Sequence, residues 1–424
     1  MVAGPNPRIF VSHSAKEKHA AAALERIELE LNKEFDVFID RFRLQPGQLW
    51  RNELFTRMYR SHGAVILFSE HAFESDFVPT EVSILGSRPY LDADFKLLPV
   101  LLDGVTVEQV ERKFSAVRLS ELQVIQGGTP EEIAAAVRKA FLPLIPKQAA
   151  QTPFDKLEVM IANLLKEVPP AALRGAALRL GSDLSVWEPD ANLQTQLARE
   201  LWQADLIIST AAINEDLSSF LDKGQFESLV ELIAPSWVDP RLAVSIPGVA
   251  KGHRDLRALG VNGTIAFTAQ MFVRRACCRG PSVSWRIAPI AAAWDDRATD
   301  CLRTEITVAL KSEFGMDQDE DDAILRAILE ARETGLNEPV FVMFPPPTPP
   351  REVLKELRVA FPTVTFFLLT GEHLPAPGEA DTDYFQPLVP GLPPGQEWSA
   401  YIQYRTARSV GPHEAAPKKG QGSV

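Results

Sequence analysis

Three short apolar runs near the N-terminus each end in polar side chains: Ser12, His13 and Ser14 after the first, Asp40 and Arg41 after the second, Ser69 and Glu70 after the third. Glu81 follows a short segment later, in the stretch Phe77-Val78-Pro79-Thr80-Glu81-Val82, four residues beyond an aromatic ring. A carboxylate beside an aromatic suits a ligand that carries a flat ring and develops positive charge as it reacts. A carboxylate at the start of an amphipathic helix is also stabilised by the helix dipole, so a structural role stands beside the chemical one.

The elements that must position these residues alternate between strand and helix. Arg8 to Ser12 reads as a first strand, and Lys16 to Leu31 as a helix with Ala20, Leu24, Ile27 and Leu31 on one face. Phe35 to Asp40 reads as a second strand, followed by a turn at Pro46-Gly47 and a helix from Trp50 to Ser61. The fully apolar run Ala64 to Ser69 suits a central parallel strand, Lys96 to Leu102 a fourth, and a helix from Pro130 to about Leu144 closes the region. Such alternation predicts a parallel sheet covered by helices, with the polar residues at the carboxyl ends of the strands lining one crevice.

At 424 residues the chain is expected to hold several domains. A Pro- and Gln-rich stretch, Pro143 to Pro153, marks the first boundary. The expected divisions are 5–145, an α/β domain; 153–233, a helical bundle; 237–408, a second α/β domain; and 409–424, a disordered tail with His413, Pro417 and paired lysines. Hydrophobic residues make up 46% and charged residues 24%, with no apolar run long enough to span a bilayer, so no membrane association is expected. The start, MVAGPNPRIF, has neither the basic nor the apolar part of a secretory signal, and a cytoplasmic location is expected. Cys277, Cys278 and Cys301 fit no metal-binding spacing and are expected to be buried thiols. A formal charge of -12 makes nucleic acid an unfavourable partner.

Three segments in order carry a family resemblance. RIFVSHSAKEK is similar to the first-strand motif of TIR (Toll/interleukin-1 receptor) domains, FDVFIDRFRLQPGQLW resembles their second strand and the BB loop after it, and AVILFSEHAFESDFVPTEV looks like their third strand and the segment holding a catalytic glutamate. The resemblance implies a flavodoxin-like fold and, for its NAD-cleaving members, an aromatic residue four positions before that glutamate. Here the pair is Phe77 and Glu81, with phenylalanine where those members carry tryptophan and Val78 where a cysteine often stands. The implied substrate is NAD+, cleaved between nicotinamide and ribose without a cofactor or metal. Glu81 would hold the ribose hydroxyls and stabilise an oxocarbenium-like ribose; Phe10, Phe77 or Trp50 would stack on nicotinamide or adenine; Ser12, His13, Asp40 and Arg43 would contact ribose and phosphates. Nicotinamide leaves as a neutral base and needs no general acid, so His13 reads as a hydrogen-bonding loop residue. Trp50 and Phe55 also read as core or self-association contacts, and Ser69 as a cap for the segment after its strand.

The region from Glu167 to Ile233 looks like the small adaptor domains that accompany bacterial TIR modules, and a plain spacer bundle is the other reading. LRALGVNGTIAFTAQMFVRRA and PVFVMFPPPTPP resemble a STAND-type nucleotide-binding core that lacks the phosphate-loop lysine and the acidic metal-holding residues, so nucleotide hydrolysis there is not expected. By resemblance the chain is an NAD+ glycohydrolase that assembles through its TIR domains once its C-terminal domains sense an unidentified trigger or partner protein, in antiphage defence by NAD+ depletion. The alternatives are a non-enzymatic scaffold that recruits other TIR proteins and a cyclase that makes a cyclic ADP-ribose signal.

Overall fold

The computed structural model describes residues 6–14, 18–39, 50–75, 78–114, 119, 122–145, 151–184, 192–252, 254–281, 284–290, 294, 299–336, 338–371, 374, 384–389 and 391–410; for 50–53 only the backbone is described. The chain forms two compact units. One comprises Met1–Asp155 together with Val244–His253, the other Lys156–Ala243 together with Arg254–Val424. The central helices and the second sheet therefore share a unit, and Val244–His253, read above as part of the 237–408 domain, joins the first.

The first unit is built on five parallel strands: β1 (Arg8–Ser12), β2 (Asp36–Ile39), β3 (Gly63–Phe68), β4 (Lys96–Leu101) and β5 (Ile125–Gln126), in the order β2-β1-β3-β4-β5. Phe10 pairs with Phe38 and Ser12 with Ile66. Because successive strand residues face opposite sides, Ile9 and Val11 join Val65, Leu67, Leu98 and Val100 in one core. The helices Lys18–Leu31 and Pro130–Phe141 complete that core with Ala23, Leu24, Ile27, Ile133 and Val137. Thr129 starts the second of these helices with a reciprocal cap: its hydroxyl accepts from the Glu132 amide, and the Glu132 carboxylate accepts from the Thr129 amide at 2.9 Å. The packing is close enough that a Cβ on Gly63 would lie 2.6 Å from the Phe141 ring and 2.9 Å from the Lys96 carbonyl oxygen. Phe10 and Ser12 face the other side, where the helices Trp50–Arg60 and Val78–Leu91 lie.

The second unit begins within the helix Pro153–Leu164 and continues with the helices at Pro170–Arg179, Leu193–Gln203, Leu206–Ala212 and Lys223–Ile233. Its sheet has the parallel order β10-β6-β9-β8-β7, from β6 (Ala258–Val261), β7 (Arg286–Pro289), β8 (Val340–Phe344), β9 (Val364–Leu369) and β10 (Gln386–Pro387). β6 to β9 coincide with the apolar runs Arg257 to Val261, Trp285 to Ile290, Pro339 to Phe344 and Thr363 to Leu369 of the sequence; β5 and β10, two residues each, are too short for an alternating pattern to mark. The fold class is thus the expected one: a flavodoxin-like parallel sheet, a helical region and a second α/β sheet.

Cys277 and Cys278 are buried as expected, but Cys301 is exposed, a correction to the reading of all three as buried thiols. It lies on the outward side of the helix Thr299–Glu313, whose core positions are Leu302, Ile306 and Leu310. The tail expected from residue 409 lies outside the described residues apart from the last turn of the helix Gln396–Val410. Among the described residues no helix is long and apolar enough to cross a membrane.

Candidate active site at the carboxyl edge of the first sheet

In a sheet of order β2-β1-β3-β4-β5 the chain leaves β1 toward one edge and later returns to β3 on the other side of β1. The segments that follow β1 and β3 therefore diverge, and a crevice opens at their carboxyl ends, where ligands bind in open α/β folds. Ser12 is the last residue of β1, and Glu81 sits in the first turn of the helix Val78–Leu91 that follows β3. The Ser12 hydroxyl donates to Glu81 Oε2 across that crevice. Both side chains are enclosed, Ser12 at 1% exposure and Glu81 at 2%.

The local sequence explains the meeting. Ser12 points to the same side of β1 as Phe10, toward the helix. Glu81, Ile84, Leu85 and Arg88 recur at the three- and four-residue spacing that puts side chains on one helical face, and all four are buried. Arg88, 1% exposed, anchors the far end of this stripe. Its guanidinium donates to the carbonyl oxygens of Tyr59 and Ser61, the latter at 3.2 Å, lies 3.8 Å from the Asp92 carboxylate and stands 4.8 Å above the Phe95 ring. A buried cation needs such partners, and by satisfying it they fix the rotation of the helix about its axis and hence the direction of Glu81. Sequence reasoning missed Arg88; its signal was an arginine seven positions after Glu81 on an otherwise apolar stripe.

The remaining expected site residues divide. His13 follows Ser12 directly and is half-buried at the crevice. Phe10 is 0% exposed, and its ring stacks on Phe38 at 5.5 Å between centroids, so this ring is packed in the core. Phe55 is buried as well. Ser69 occupies the capping position before the short helix Glu70–Glu74, but its hydroxyl makes no capping bond; the carbonyl oxygen, accepting from the Ala72 amide at 3.0 Å, does that work. Asp40, Arg43 and Phe77 lie outside the described residues, as does the side chain of Trp50, whose backbone opens the helix Trp50–Arg60. A cavity of about 490 Å³ lies at the ends of β3 and β4, walled by Phe73, Glu74, Val105, Gln109 and Arg112; neither Ser12 nor Glu81 lines it. Among the described residues no group of three or more His, Cys, Asp or Glu side chains is placed to hold a metal.

The second sheet places a carboxylate at the corresponding point. β6 runs through the Asn262-Gly263 turn into the helix Ala266–Cys277, the strand, glycine turn and helix that the sequence suggested. Glu397, from the helix Gln396–Val410, accepts from the Thr264 amide at 2.9 and 3.0 Å, from the Thr264 hydroxyl at 2.5 Å and from the Thr268 hydroxyl at 2.6 Å. The start of a helix after a glycine turn favours an anion, and here the chain supplies its own. A Cβ on Gly263 would lie 2.9 Å from Thr268 and 3.0 Å from Glu397, so the turn accepts only glycine without displacing one of them.

No curated protein matches the chain. With the parallel order β2-β1-β3-β4-β5 and the Ser12–Glu81 contact at its carboxyl edge in place, the remaining comparison is specific: residues 9–141 match the family described as TIR domain, a segment that contains both residues of this contact.

Proposed function

We propose that the N-terminal unit cleaves NAD+ between nicotinamide and ribose, with Glu81 as the residue that acts on the reacting sugar. The observation that carries this reading is the enclosed Glu81 carboxylate, held by Ser12 at the strand-order reversal of a sheet whose sequence matches the TIR family. Nicotinamide attached to ribose is already cationic and departs as a neutral base, so bond breaking needs no proton donor. Positive charge then passes to the ribose, and a carboxylate shielded from bulk water interacts with that charge more strongly than an exposed one. The Ser12 hydroxyl keeps the carboxylate in one rotamer, so little reorganisation accompanies the charge transfer. Water attacks the ribose to complete hydrolysis to ADP-ribose.

Incubating the purified full chain with NAD+ and separating products by chromatography tests the assignment. Release of nicotinamide with ADP-ribose is the expected result; a cyclic product would make the chain a cyclase, and absence of any NAD+ loss under assembling conditions would leave a scaffold role. We further infer that turnover depends on association of TIR domains through residues 41–50, that the C-terminal unit responds to a trigger, and that the outcome in the cell is NAD+ depletion as a defence against phage. Dilution checks the first point: specific activity should fall as particle mass falls, and undiminished activity in a strictly monomeric sample would overturn it.

A further inference from the structure

We propose that the helix Ser245–Ala250, together with Lys251, is a built-in restraint on the helix that carries Glu81, through which the C-terminal chain governs access to the site; the inference rests on Glu81 being the reacting carboxylate. Val244–His253 belongs to the first unit, yet the chain on both sides of it, up to Ala243 and from Arg254 onward, belongs to the second. The polypeptide therefore enters the first unit, docks one short helix and leaves again. That helix packs on Val78–Leu91. Ile246 and Ala250 are 0% and 2% exposed, and Pro247 is buried beside them.

The contact falls at a sensitive place. Tyr90 lies in the last turn of Val78–Leu91, where carbonyl oxygens have no partner within the helix, and Lys251 Nζ donates to the Tyr90 oxygen at 2.8 Å. A cation at a helix C-terminus also complements the helix dipole. Arg88 holds the same turn by bonds to Tyr59 and Ser61, so the end of the helix remote from Glu81 is gripped by its own sheet unit and by the inserted segment. Glu81, at the other end, is 2% exposed, and a ribose reaches it only if the helix or its cover moves. Shifts of about 1–2 Å in packed helices are a common means of switching, and about 1 Å at a reacting group is enough to change rate strongly. Both ends of the inserted segment are covalently continuous with the second unit, so a rearrangement there pulls directly on Val244–His253.

Lys251→Met, which keeps most of the aliphatic stem and removes the charge, and Lys251→Arg, which keeps a donor, test this in the full chain. Amide exchange by mass spectrometry across 78–91 and 244–253 and NAD+ turnover are read together. Lys251→Met should speed exchange in 78–91 by about two- to fivefold and raise turnover by a similar factor, while Lys251→Arg stays close to the parent protein. Faster exchange confined to 244–253 would overturn the proposal, because the segment would then only ride on the helix. Faster exchange in 78–91 with lower turnover would overturn it too, making the segment a support for the active geometry. If no variant and no parent protein consumes NAD+, the catalytic reading fails, whereas exchange in 78–91 still decides whether the segment restrains that helix.

Discussion

The two units solve one geometrical problem in opposite ways. Each has a five-stranded parallel sheet, and each brings a carboxylate to hydroxyls at or just beyond the end of its first strand: Glu81 to Ser12 beyond β1, Glu397 to Thr264 and Thr268 beyond β6. Glu397 arrives from more than a hundred residues away in sequence and is bound by a backbone amide and two hydroxyls at a helix start, a donor set suited to a permanent anion. Glu81 comes from the second helix after β3 and accepts from the Ser12 hydroxyl. The comparison teaches that one residue type beyond the first strand of a parallel sheet can be held by quite different donor sets, a serine hydroxyl at Glu81 and a helix-start amide with two hydroxyls at Glu397. In the second sheet the place that a phosphate would take in a nucleotide-binding turn is filled by the chain itself, and β8 runs into Pro345-Pro346-Pro347 without a carboxylate.

The sharpest way to break the comparison is Glu81→Gln. If Glu81 is the reagent, NAD+ loss should fall by about 10²-fold or more while the melting temperature barely moves, because glutamine keeps the shape and an acceptor for Ser12 but not the charge. Turnover equal to the parent protein would return Glu81 to the scaffold class. Glu397→Ala should act in the other currency. It strands the fully buried Thr268 hydroxyl, at about 1–3 kcal/mol for a buried group left unsatisfied, whereas the exposed Thr264 can turn to water, so thermal unfolding of the second unit should begin a few degrees lower. An unmoved transition would show that Glu397 is dispensable there. Titration of the parent protein with ATP and magnesium in a calorimeter should give no micromolar binding, since Glu397 occupies the helix start and no lysine follows Gly263 in the turn. Heat from a micromolar site would overturn that reading.

The smallest expected effect concerns pH and the first unit alone. Burial pushes the Asp155 carboxyl up, but Arg8 at 2.6 Å, Arg60 at 3.2 Å and the Thr152 amide and hydroxyl outweigh it and hold the group below its ordinary value. A depressed carboxyl contributes stability that is complete above the unfolded pKa of about 3.9 and disappears as pH falls through the lower folded value. Asp155→Asn should therefore lower the melting temperature of the first unit at neutral pH, with the gap to the parent protein narrowing as the pH drops below about 4. A gap that stays constant down the acid range would remove Asp155 from the account.

Much of this architecture was legible in the residues themselves, for reasons that the structure makes specific. The runs RIFVS, AVILFS and KLLPVLL are apolar on both sides because β1, β3 and β4 are covered by helices on both faces, and such runs identify central parallel strands. Pro130 announced a helix start because its fixed backbone angle suits the first helical turn, a local matter of a few neighbouring atoms. Ser12 could be named as a candidate because strand ends collect polar residues, and Glu81 because it stands at a helix start four residues after an aromatic ring in a segment that resembles the TIR motif. Beyond that the sequence fell short wherever a role depended on distant chain. Phe10 and Phe38 are both aromatic residues on polar-ended strands, and only the register of β1 on β2 stacks them together in the core. Arg88 carries no local sign of the Tyr59 and Ser61 carbonyls that enclose it, and Glu397 none of the Thr264 amide. In the sequence Val244–His253 falls within the expected 237–408 domain; it belongs to the first unit, where its helix Ser245–Ala250, with Ile246, Pro247 and Ala250 buried, packs on Val78–Leu91. Periodicity and capping are set by neighbours within a few residues, so the sequence determined the elements, their order and the carboxylate to watch. Long-range packing sets what each polar group touches, and only the tertiary structure decided which carboxylate is bound as scaffold and which segment grips the helix of Glu81.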